Sequence, residues 1–480
     1  MMKTCIRSSI MFILVLMLQI GTALCQQVKY ENAPKVSPNT TQEMQTPGFW
    51  LSHIKTDPDK IMLTPSQIAE INQRSGLLAE RIKKLKDING AQVSLDDVIK
   101  YNDMTGVQYK IEDPLSMKSF PGDSLKARLI IHRNYLETNV FIDSRGKKFE
   151  NDFKNHLYEM TDAGLIPEVI TPRYGIITVH AMMRVFPTYE EGFGQSPGEW
   201  YVRGIQTSSA DVASPVAILH ESKDKDWYYV RSETAFGWVQ ASNIAFANPS
   251  KIRKYLNDKN FVVAVTHRIP VYSSEKFNTL VSYLYLGSRY KLVKNTGQGY
   301  HVLLPNRKPD GTLEFVNGWI KPDAKVCVGF QKFSQRNMIN TLFELLYHPY
   351  GWNDAENNWH CCGYLRAVVR TFGIYMGNWP AFELHYSDHT VVFPADTPRE
   401  KKYQYLEGCD PGVTLVGHDD HMNAYLGEIN GKHYVIHMGG YDYTTEDGTV
   451  MMLRRVNVNG TELKGGYSVD DWTKISSLKP

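Results

Sequence analysis

The stretch WHCCGYLRAVVRTF, residues 359–372, combines two adjacent cysteines with the periodicity of an amphipathic helix. Its apolar residues recur at the i, i+3, i+4 and i+7 spacing of one helix face: Leu365, Val368, Val369 and Phe372. The pattern predicts a helix that begins at Cys361, with Gly373 as its stop signal. Cys361 is therefore predicted to lie where a loop becomes a helix, with Cys362 next to it on the first turn.

A second helix precedes this stretch, and a β-hairpin follows it. Ser334 is a favourable N-cap for an apolar helix that ends before residue 350. Asn430-Gly431, the strongest kind of short hairpin signal, joins two segments that carry His421 and His437. Helices followed by strands predict an α+β domain over residues 329–480, with cysteines on a helix and histidines on a hairpin.

Length and composition describe a soluble multidomain protein. The chain has 480 residues, which is too long for one hydrophobic core. Hydrophobic residues make up 42% and charged residues 22%, as in ordinary globular proteins. The formal net charge is +2 and provides no global field for nucleic acid or an anionic membrane surface. The balance argues against a nucleic-acid partner.

The N-terminus predicts export. Residues 1–25 have a basic start, the apolar run IMFILVLMLQI and small residues behind it, as in a secretory signal. The run falls short of the ~20 residues that span a bilayer. The protein is expected in the periplasm or outside the cell. Acylation of Cys25 as a lipoprotein is the alternative, although Leu24 is unfavourable before such a cysteine. Residues 26–48 predict a flexible leader, and residues 49–165 a helical domain.

Two β-rich stretches lie between the helical and the α+β parts. They end in similar phrases, AFGWV at residues 235–239 and VNGWI at residues 316–320. The alternating pattern and the repeated phrase favour two consecutive SH3-like β-barrels over one sandwich. Their predicted bounds are residues 166–248 and 249–328.

Cys361 is the candidate nucleophile. Unpaired N–H groups and the positive end of the helix dipole favour a thiolate at a helix start, and the same N–H groups can hold an oxyanion. A catalytic cysteine also needs an imidazole to take its proton and a third polar group to orient that ring. His421 and His437 are the candidate partners.

Other interpretations of these residues remain open. Cys361 is a small apolar core residue in one of them, and one histidine lies on a strand surface in another. A metal site is disfavoured because zinc-binding cysteines are normally separated by two or more residues; its ligands would come from His360, Cys361, Cys362, His418, His421 and His437. Whether Cys327 and Cys409 pair is not decided by the sequence.

The hairpin imposes a geometric condition on the histidines. A two-residue loop at Asn430-Gly431 pairs residue 424 with His437 and leaves His421 and His437 on opposite faces. They share a face only if the loop has an odd number of residues or if a bulge intervenes. We therefore predict a three- or five-residue loop, or a bulge.

Several phrases together resemble one family. They are YGIIT (174–178), RVFPT (184–188), PVAILHES (215–222), GWV (237–239), PYGW (349–352), HMNAYLG (421–427) and VIH (435–437). From about residue 49 onward the chain resembles the NlpC-type cysteine peptidases of bacterial cell-wall turnover. The match is to the multidomain subgroup with an N-terminal helical domain, two bacterial SH3-like domains and a papain-like α+β catalytic domain.

The resemblance implies roles for four residues. Cys361 attacks, His421 is the general base, His437 orients it, and Tyr350 polarises the scissile carbonyl or stabilises the oxyanion. The family typically cleaves the amide between γ-D-glutamate and diaminopimelate or lysine in peptidoglycan stem peptides, through an acyl-enzyme. The implied partners are therefore wall peptides, and no metal or organic cofactor is implied.

The sequence departs from the family pattern around the nucleophile. The family phrase Asp-Cys-Ser is His360-Cys361-Cys362 here, and paired glycines are replaced by Asn353-Asp354. In relatives the aspartate helps to hold a free L-alanine amine, a role that an often neutral imidazole cannot take over. His360 and Cys362 are therefore candidate substrate-binding residues, and we expect an altered end-group preference with the thiol chemistry kept.

Three functions compete on this evidence. The favoured one is an endopeptidase for γ-D-glutamyl bonds of wall peptides. The second is a thiol amidase or acyltransferase that acts on a different amide, and the third is a non-catalytic wall-binding protein. The sequence does not distinguish diaminopimelate from lysine substrates, or intact wall from released fragments, and leaves the oligomeric state open.

Overall fold

The structure of the protein is a computed structural model. It describes residues 29–75, 84–94, 112–194, 204–378, 384, 389–439, 442–463 and 468–479. The predicted signal, residues 1–25, lies outside the described residues. Within the described ranges, no helix has both the length and the apolar character needed to cross a bilayer.

The helices begin and end at the signals that the sequence contains. In the described part of the chain they are α1 (Pro47–Ser52), α2 (Pro65–Ser75), α3 (Gly122–Thr138), α4 (Asn151–Glu159), α5 (Pro249–Leu256), α6 (Gln335–Phe343), α7 (Cys361–Arg370) and α8 (Arg399–Leu406). Ser334 caps α6, and its Oγ accepts the Asn337 N–H at 3.3 Å. As predicted, α7 begins at Cys361, and Gly373 follows its end with a φ of 80°.

Two seven-stranded antiparallel sheets form the middle of the chain. The first contains β4 (Arg173–Ile177), β5 (Ala181–Arg184), β6 (Gln206–Ala210), β7 (Pro215–Glu221), β8 (Trp227–Arg231), β9 (Phe236–Gln240) and β10 (Ile244–Phe246), in the order β10-β4-β7-β8-β9-β5-β6. The second contains β11 (Phe261–Ala264), β12 (Arg268–Tyr272), β13 (Leu280–Tyr285), β14 (Arg289–Asn295), β15 (Tyr300–Arg307), β16 (Leu313–Ile320) and β17 (Val326–Val328), in the order β13-β12-β16-β15-β14-β11-β17.

These two sheets share one strand order. If the strands of each sheet are counted from one to seven along the chain, the two sheets have the same order of neighbouring strands, listed above from opposite edges. Gly237-Trp238 and Gly318-Trp319, the repeated phrases, lie on the equivalent strands β9 and β16. The SH3-like character of the second sheet and the boundaries 166–248 and 249–328 stay predictions.

The C-terminal part is a sheet with helices packed on it. Its strands are β18 (Thr390–Val392), β19 (Thr414–His418), β20 (His421–Ile429), β21 (Lys432–Met438), β24 (Val456–Gly460) and β25 (Lys474–Ser477), in the order β18-β25-β19-β20-β21-β24. Apolar residues of α6 and α7 form one buried core with residues of β19, β20, β21 and β24. The predicted α+β layout of this part is present.

The helices of residues 49–165 pack against two different parts of the protein. Trp50 of α1 and Ile68 of α2 belong to the core of the C-terminal sheet. Leu125 and Leu129 of α3 belong to a core with Trp238 of the first sheet. The described helices therefore share no single core, and an independent helical domain over residues 49–165 stays a prediction.

The predicted flexible leader, residues 26–48, is corrected in its described part. The strand β1 (Tyr30–Asn32) pairs in parallel with β23 (Val450–Met452), which also pairs with β22 (Asp442–Thr444). A two-stranded sheet, β2 (Phe120–Pro121) with β3 (Val169–Ile170), completes the described strands. The leader pairs through backbone groups, which a polar composition does not reveal.

Candidate active site

Cys361 is the first residue of α7 and is 5% exposed. Its Sγ lies 3.6 Å from the Sγ of Cys362 and 3.9 Å from the carbonyl oxygen of Asp420. The hydrogen bond with Cys362 holds the pKa of the Cys361 thiol well below its ordinary value against the effect of burial, with help from the hydrogen bond and charge of His421. A low pKa at a helix start gives the thiolate that nucleophilic attack requires.

Cys362 has a different position from the one predicted. Its side chain is fully buried, and it belongs to the apolar core beneath α7. This burial counts against the hypothesis that Cys362 contacts substrate, which stays a prediction. Successive side chains on a helix point about 100° apart, so the rotation that turns Cys361 toward the histidines turns Cys362 into the core.

A bulge in β20 brings the two histidines together. The connection to β21 is a two-residue turn at Asn430-Gly431, with φ values of 53° and 76°. Tyr425 pairs with Val435 and Gly427 with Tyr434, which leaves Leu426 as the extra residue. The bulge that we predicted as one way to place His421 and His437 on one face is confirmed.

The histidines form a buried pair flanked by two amides. His421 Nε2 lies 2.9 Å from His437 Nδ1 and 3.1 Å from Asn423 Oδ1. The other ring nitrogen of His437 lies 2.7 Å from the amide nitrogen of Asn459. Burial, and then the charge of His421, hold the pKa of His437 well below its ordinary value. His437 is therefore a neutral group that can orient its neighbour.

A buried ion cluster stands directly before the nucleophile. His360 Nδ1 donates to Asp354 Oδ1 at 2.6 Å, and Arg366 Nη2 donates to Asp354 Oδ2 at 2.6 Å. Burial opposes ionisation of Asp354, but the charges of His360 and Arg366 hold the pKa of Asp354 well below its ordinary value. Burial also opposes the imidazolium, yet the charge and hydrogen bond of Asp354 raise the pKa of His360. His360 therefore holds its proton more strongly than an ordinary imidazole, and it is paired with Asp354.

The two departures from the family pattern are thus in contact with each other. Asn353 and Asp354, which replace the paired glycines of the family phrase given above, have φ values of 48° and 61°. Asn and Asp are among the few non-glycine residues that adopt this left-handed conformation readily. Gly363 makes room for the pair, because a Cβ there would overlap Asp354 Oδ1. The loop therefore keeps a glycine-like backbone and gains a carboxylate that neutralises His360.

Tyr350 and the first sheet lie beside the same loop. Tyr350 forms a parallel bridge with Trp359, two residues before Cys361. The amide of Asn353 donates to the Gln206 carbonyl at 2.7 Å, and strand β6 packs along residues 352–357. The first sheet therefore forms part of the surroundings of the nucleophile.

Several of these residues were missed by the sequence argument. Asn423 follows His421 by two residues, so strand periodicity alone puts both on one face. Asp354, Arg366 and Asn459 give no comparable signal, because each lies on a different element from the group that it contacts. Within the described ranges, no group of three or more His, Cys, Asp or Glu side chains is arranged to hold a metal ion.

Comparisons with known proteins bear on the fold. Residues 204–240 match the model of an SH3 domain of the SH3b1 type. A solved NlpC/P60 endopeptidase from Photobacterium damselae subsp. piscicida is 17% identical, with a TM-score of 0.68, and the match covers 90% of this chain and 96% of that chain. An NlpC/P60 family protein from Bacillus cereus is also 17% identical, covering 64% of this chain and all of its own, but its TM-score of 0.45 is too low to support an argument.

No curated protein matches the sequence. The match to the Photobacterium structure covers nine tenths of the chain and therefore extends far beyond the matched SH3 domain. The resemblance that the sequence predicts is therefore confirmed at the level of the fold: the chain contains an SH3b1-type SH3 domain within the multidomain fold of NlpC/P60 endopeptidases.

Proposed function

We propose that this protein is an exported cysteine endopeptidase that cuts the amide between γ-D-glutamate and a diamino acid in peptidoglycan stem peptides. The observation that carries the proposal is the arrangement of Cys361, His421 and His437. A thiol of lowered pKa begins a helix, an imidazole contacts it, and a second, neutral imidazole lies 2.9 Å behind the first. Export belongs to the proposal, because residues 1–25 lie outside the described residues.

The proposed reaction gives these groups the roles that the family resemblance implies. The Cys361 thiolate attacks the γ-carbonyl carbon, and the oxyanion is held by N–H groups at the start of α7 and by the Tyr350 hydroxyl. His421, which took the thiol proton, returns it to the departing amine of the diamino acid as the C–N bond breaks. Water then attacks the thioester with His421 as base, and this step releases the γ-glutamyl acid and the free thiol.

The paired charges of His360 and Asp354 support a changed end-group preference. A relative with an aspartate in this position presents a negative charge to the substrate amine, whereas the Nδ1 of His360 is engaged by Asp354. The Asp354 carboxylate is already paired with His360 and Arg366, so a free ammonium group meets no uncompensated negative charge there. We propose that substrates with a blocked N-terminus are accepted at least as well as those with a free L-alanine amine.

Mass spectrometry of reaction products tests the proposal. The protein and its Cys361→Ala variant are incubated under reducing conditions with L-Ala-γ-D-Glu-diaminopimelate, free and N-blocked. We expect cleavage after D-glutamate by the unmodified protein alone, with the blocked peptide cut at least as fast. If neither protein cuts either peptide, the endopeptidase proposal is rejected. A different amide substrate or a wall-binding role is then favoured.

A further inference from the structure

We propose that Asn423 and Asn459 are positioning residues that fix which nitrogens of His421 and His437 carry protons. The proposal rests on the proposed cysteine chemistry, and extends it from three side chains to five. Both amides are buried, and each contacts a different histidine.

The argument begins at Asn423, whose amide has a defined orientation. Its Nδ2 donates to the Val416 carbonyl at 3.3 Å, so its Oδ1 is the atom that faces His421 Nε2 at 3.1 Å. An amide oxygen only accepts hydrogen bonds. His421 Nε2 therefore carries a proton, and Nδ1 is the nitrogen left to exchange a proton with the thiol.

The same proton determines the state of His437. His421 Nε2–H also points at His437 Nδ1, 2.9 Å away, so that this nitrogen accepts. A neutral imidazole has one N–H, and it is then on Nε2 of His437. The low pKa of His437, caused by burial and by the charge of His421, agrees with a neutral ring.

Asn459 is the last member of the row of hydrogen bonds that runs from His421 through His437. The Nε2–H of His437 needs an acceptor, and the Asn459 amide lies 2.7 Å from it. With Nδ2 turned toward the ring, Oδ1 of Asn459 is a buried oxygen without a partner among the described residues. Half a turn of the amide about χ2 exchanges the two atoms, so that Oδ1 accepts from the His437 ring. In this arrangement Asn459 accepts from His437, and His437 accepts from His421.

Two variants of Asn459 test the assignment. Asn459→Leu removes the acceptor at similar volume, and Asn459→Asp keeps an acceptor oxygen in place. We expect Leu to lower kcat by on the order of a hundredfold with little change in KM, because the ring that orients the base loses its fixed tautomer. The Asn459→Asp variant is expected to be more active than the Asn459→Leu variant. The alkaline limb of its pH profile should also move to higher pH, because a carboxylate stabilises a protonated His421 through the hydrogen bonds of His437.

The pH profile and the alkylation rate separate this role from a purely structural one. If the Leu and Asp variants have the same kcat and the same pH profile, Asn459 does not position the histidines. If the unmodified protein cuts no stem peptide, the proposed substrate fails, but the pH dependence of Cys361 alkylation by iodoacetamide still reports on Asn459. In that assay a Leu variant identical to the unmodified protein overturns the assignment.

A different observation concerns the first sheet, where a cavity of about 240 Å³ has no role in the proposed reaction. We infer that this cavity binds a neutral sugar ring. Six of its lining residues carry the argument: the polar His180, Thr188, Gln240 and Asn243, and the aromatic Tyr189 and Trp227.

The charges around the cavity are compensated. His180 Nδ1 contacts Asp211 Oδ1 at 3.1 Å, and Arg184, which also lines the cavity, is paired with Glu191 at 2.6 Å. The lining therefore gives no advantage to a charged ligand.

Free hydrogen-bonding groups and an aromatic face converge on the cavity. The His180 side chain is 10% exposed, and its Nε2 is buried without a partner among the described residues. The Gln240 and Asn243 amides make a single contact of 3.5 Å with each other. The Tyr189 ring is 67% exposed and lies 4.9 Å from the ring of Trp227.

This combination fits a sugar. Sugar hydroxyl groups both donate and accept hydrogen bonds, which suits the mixed donors and acceptors of the cavity lining. The C–H face of a pyranose packs on an aromatic ring. The cavity is smaller than the roughly 300–1,000 Å³ of sites for drug-sized ligands, which matches one ring. A stem peptide would bring charged carboxylates to a cavity whose lining has no unpaired cation among the described residues.

Calorimetry with the full chain carrying Cys361→Ala tests this site without turnover. The probes are the tetramer of N-acetylglucosamine and L-Ala-γ-D-Glu-diaminopimelate. We expect the tetramer to bind, and Tyr189→Ala to weaken it by roughly tenfold. Val179→Ala, which alters an exposed side chain next to His180 but outside the lining, should leave binding unchanged. Absence of tetramer binding, equal effects of both variants, or displacement of the tetramer by the peptide would each overturn the inference.

Discussion

Cys361 has a second thiol as a close polar neighbour, and this changes what its reactivity depends on. The family phrase that the sequence resembles has a serine after its cysteine, whereas here the Cys362 Sγ lies 3.6 Å from the Cys361 Sγ. The Cys362 hydrogen bond is the largest cause of the lowered pKa of Cys361. The fully buried Cys362 therefore acts on Cys361 through this hydrogen bond.

Removing this neighbour should raise the pKa of the nucleophile. Alkylation by iodoacetamide requires the thiolate, so its rate rises with pH through the pKa of Cys361. In the unmodified protein we expect a midpoint below the value of about 8.5 of a free thiol. In Cys362→Ala the midpoint should move up, and alkylation at mildly acidic pH should slow. Cys409→Ala is the matched control, and an equal shift in both variants would contradict the role given to Cys362.

His360 and Asp354 should be exchangeable only as a pair. His360→Asp alone puts two buried carboxylates side by side and removes a buried ion pair, at a cost of about 3 kcal/mol or more. Adding Asp354→Gly restores the family phrase at both positions. We expect the single variant to lose thermal stability and the double variant to recover it, as measured by Tm.

The same double variant tests substrate preference. Its kcat/KM should shift toward the peptide with a free L-alanine amine, since a carboxylate again stands before Cys361. A double variant that stays as unstable as the single one, or that keeps the preference of the unmodified protein, would show that the two positions are not coupled as described.

At the scale of elements, the register of one hairpin decides whether the site exists. The two-residue turn at Asn430-Gly431 alone would leave His421 and His437 on opposite faces, and the bulge at Leu426 corrects this. Bulges commonly aim side chains near functional sites.

Deletion of Leu426 should leave the register unchanged. Without the extra residue, Tyr425–Val435 and Gly427–Tyr434 become successive pairs, so His421 and His437 stay on one face and keep their 2.9 Å contact. We expect cleavage to be retained, at a lower Tm because the buried Leu426 side chain is lost. Product formation followed by mass spectrometry checks cleavage, with circular dichroism to establish that the sheet is retained. Loss of cleavage by a protein that keeps the sheet would mean that the bulge does more than set the register.

At the scale of the molecule, Asp211 connects three parts of the chain. On the first sheet it accepts from His180 at 3.1 Å; from the second sheet Ser288 donates to it at 2.8 Å, and from α7 Arg370 does so at 3.4 Å. Arg370 also contacts Glu233 of the first sheet at 3.4 Å. This junction lies on the helix that begins with the nucleophile, so it holds the sheets in position relative to the site.

Asp211→Ala should lower Tm clearly. It leaves Ser288 and Arg370 without their shared acceptor, at a cost of roughly 1–3 kcal/mol. The matched control is Asp59→Ala, which removes an Asp–Arg pair with contacts of 2.7 and 2.9 Å to Arg336 at the surface. Exposed pairs contribute about 0–1 kcal/mol, so this variant should unfold at nearly the unmodified temperature. Equal Tm changes would mean that the junction is no stronger than a surface pair.

Much of the local structure could be predicted because its causes are local. Ser334 caps α6, Gly373 ends α7, and Asn430-Gly431 forms the two-residue turn, all as the residue types require. The even number of residues in that turn predicted that a bulge is needed if His421 and His437 are to share a face. The fold could be predicted from phrases that the chain shares with NlpC-type peptidases, and the comparison with a solved structure agrees.

The sequence by itself therefore determined the start of the Cys361 helix, the helix caps and the hairpin turn, because each depends on neighbours within a few residues; the roles of Cys361, His421 and His437 come from the family resemblance and stay a proposal. Only the tertiary structure decided that Cys362 is buried, that Asp354 neutralises His360, that Asn459 contacts His437, and that the leader segment pairs with β23. Each of these facts is a contact between elements far apart in the chain. Such contacts depend on how packed helices and sheets are rotated and registered, and one sequence without its fold has no local signal for that.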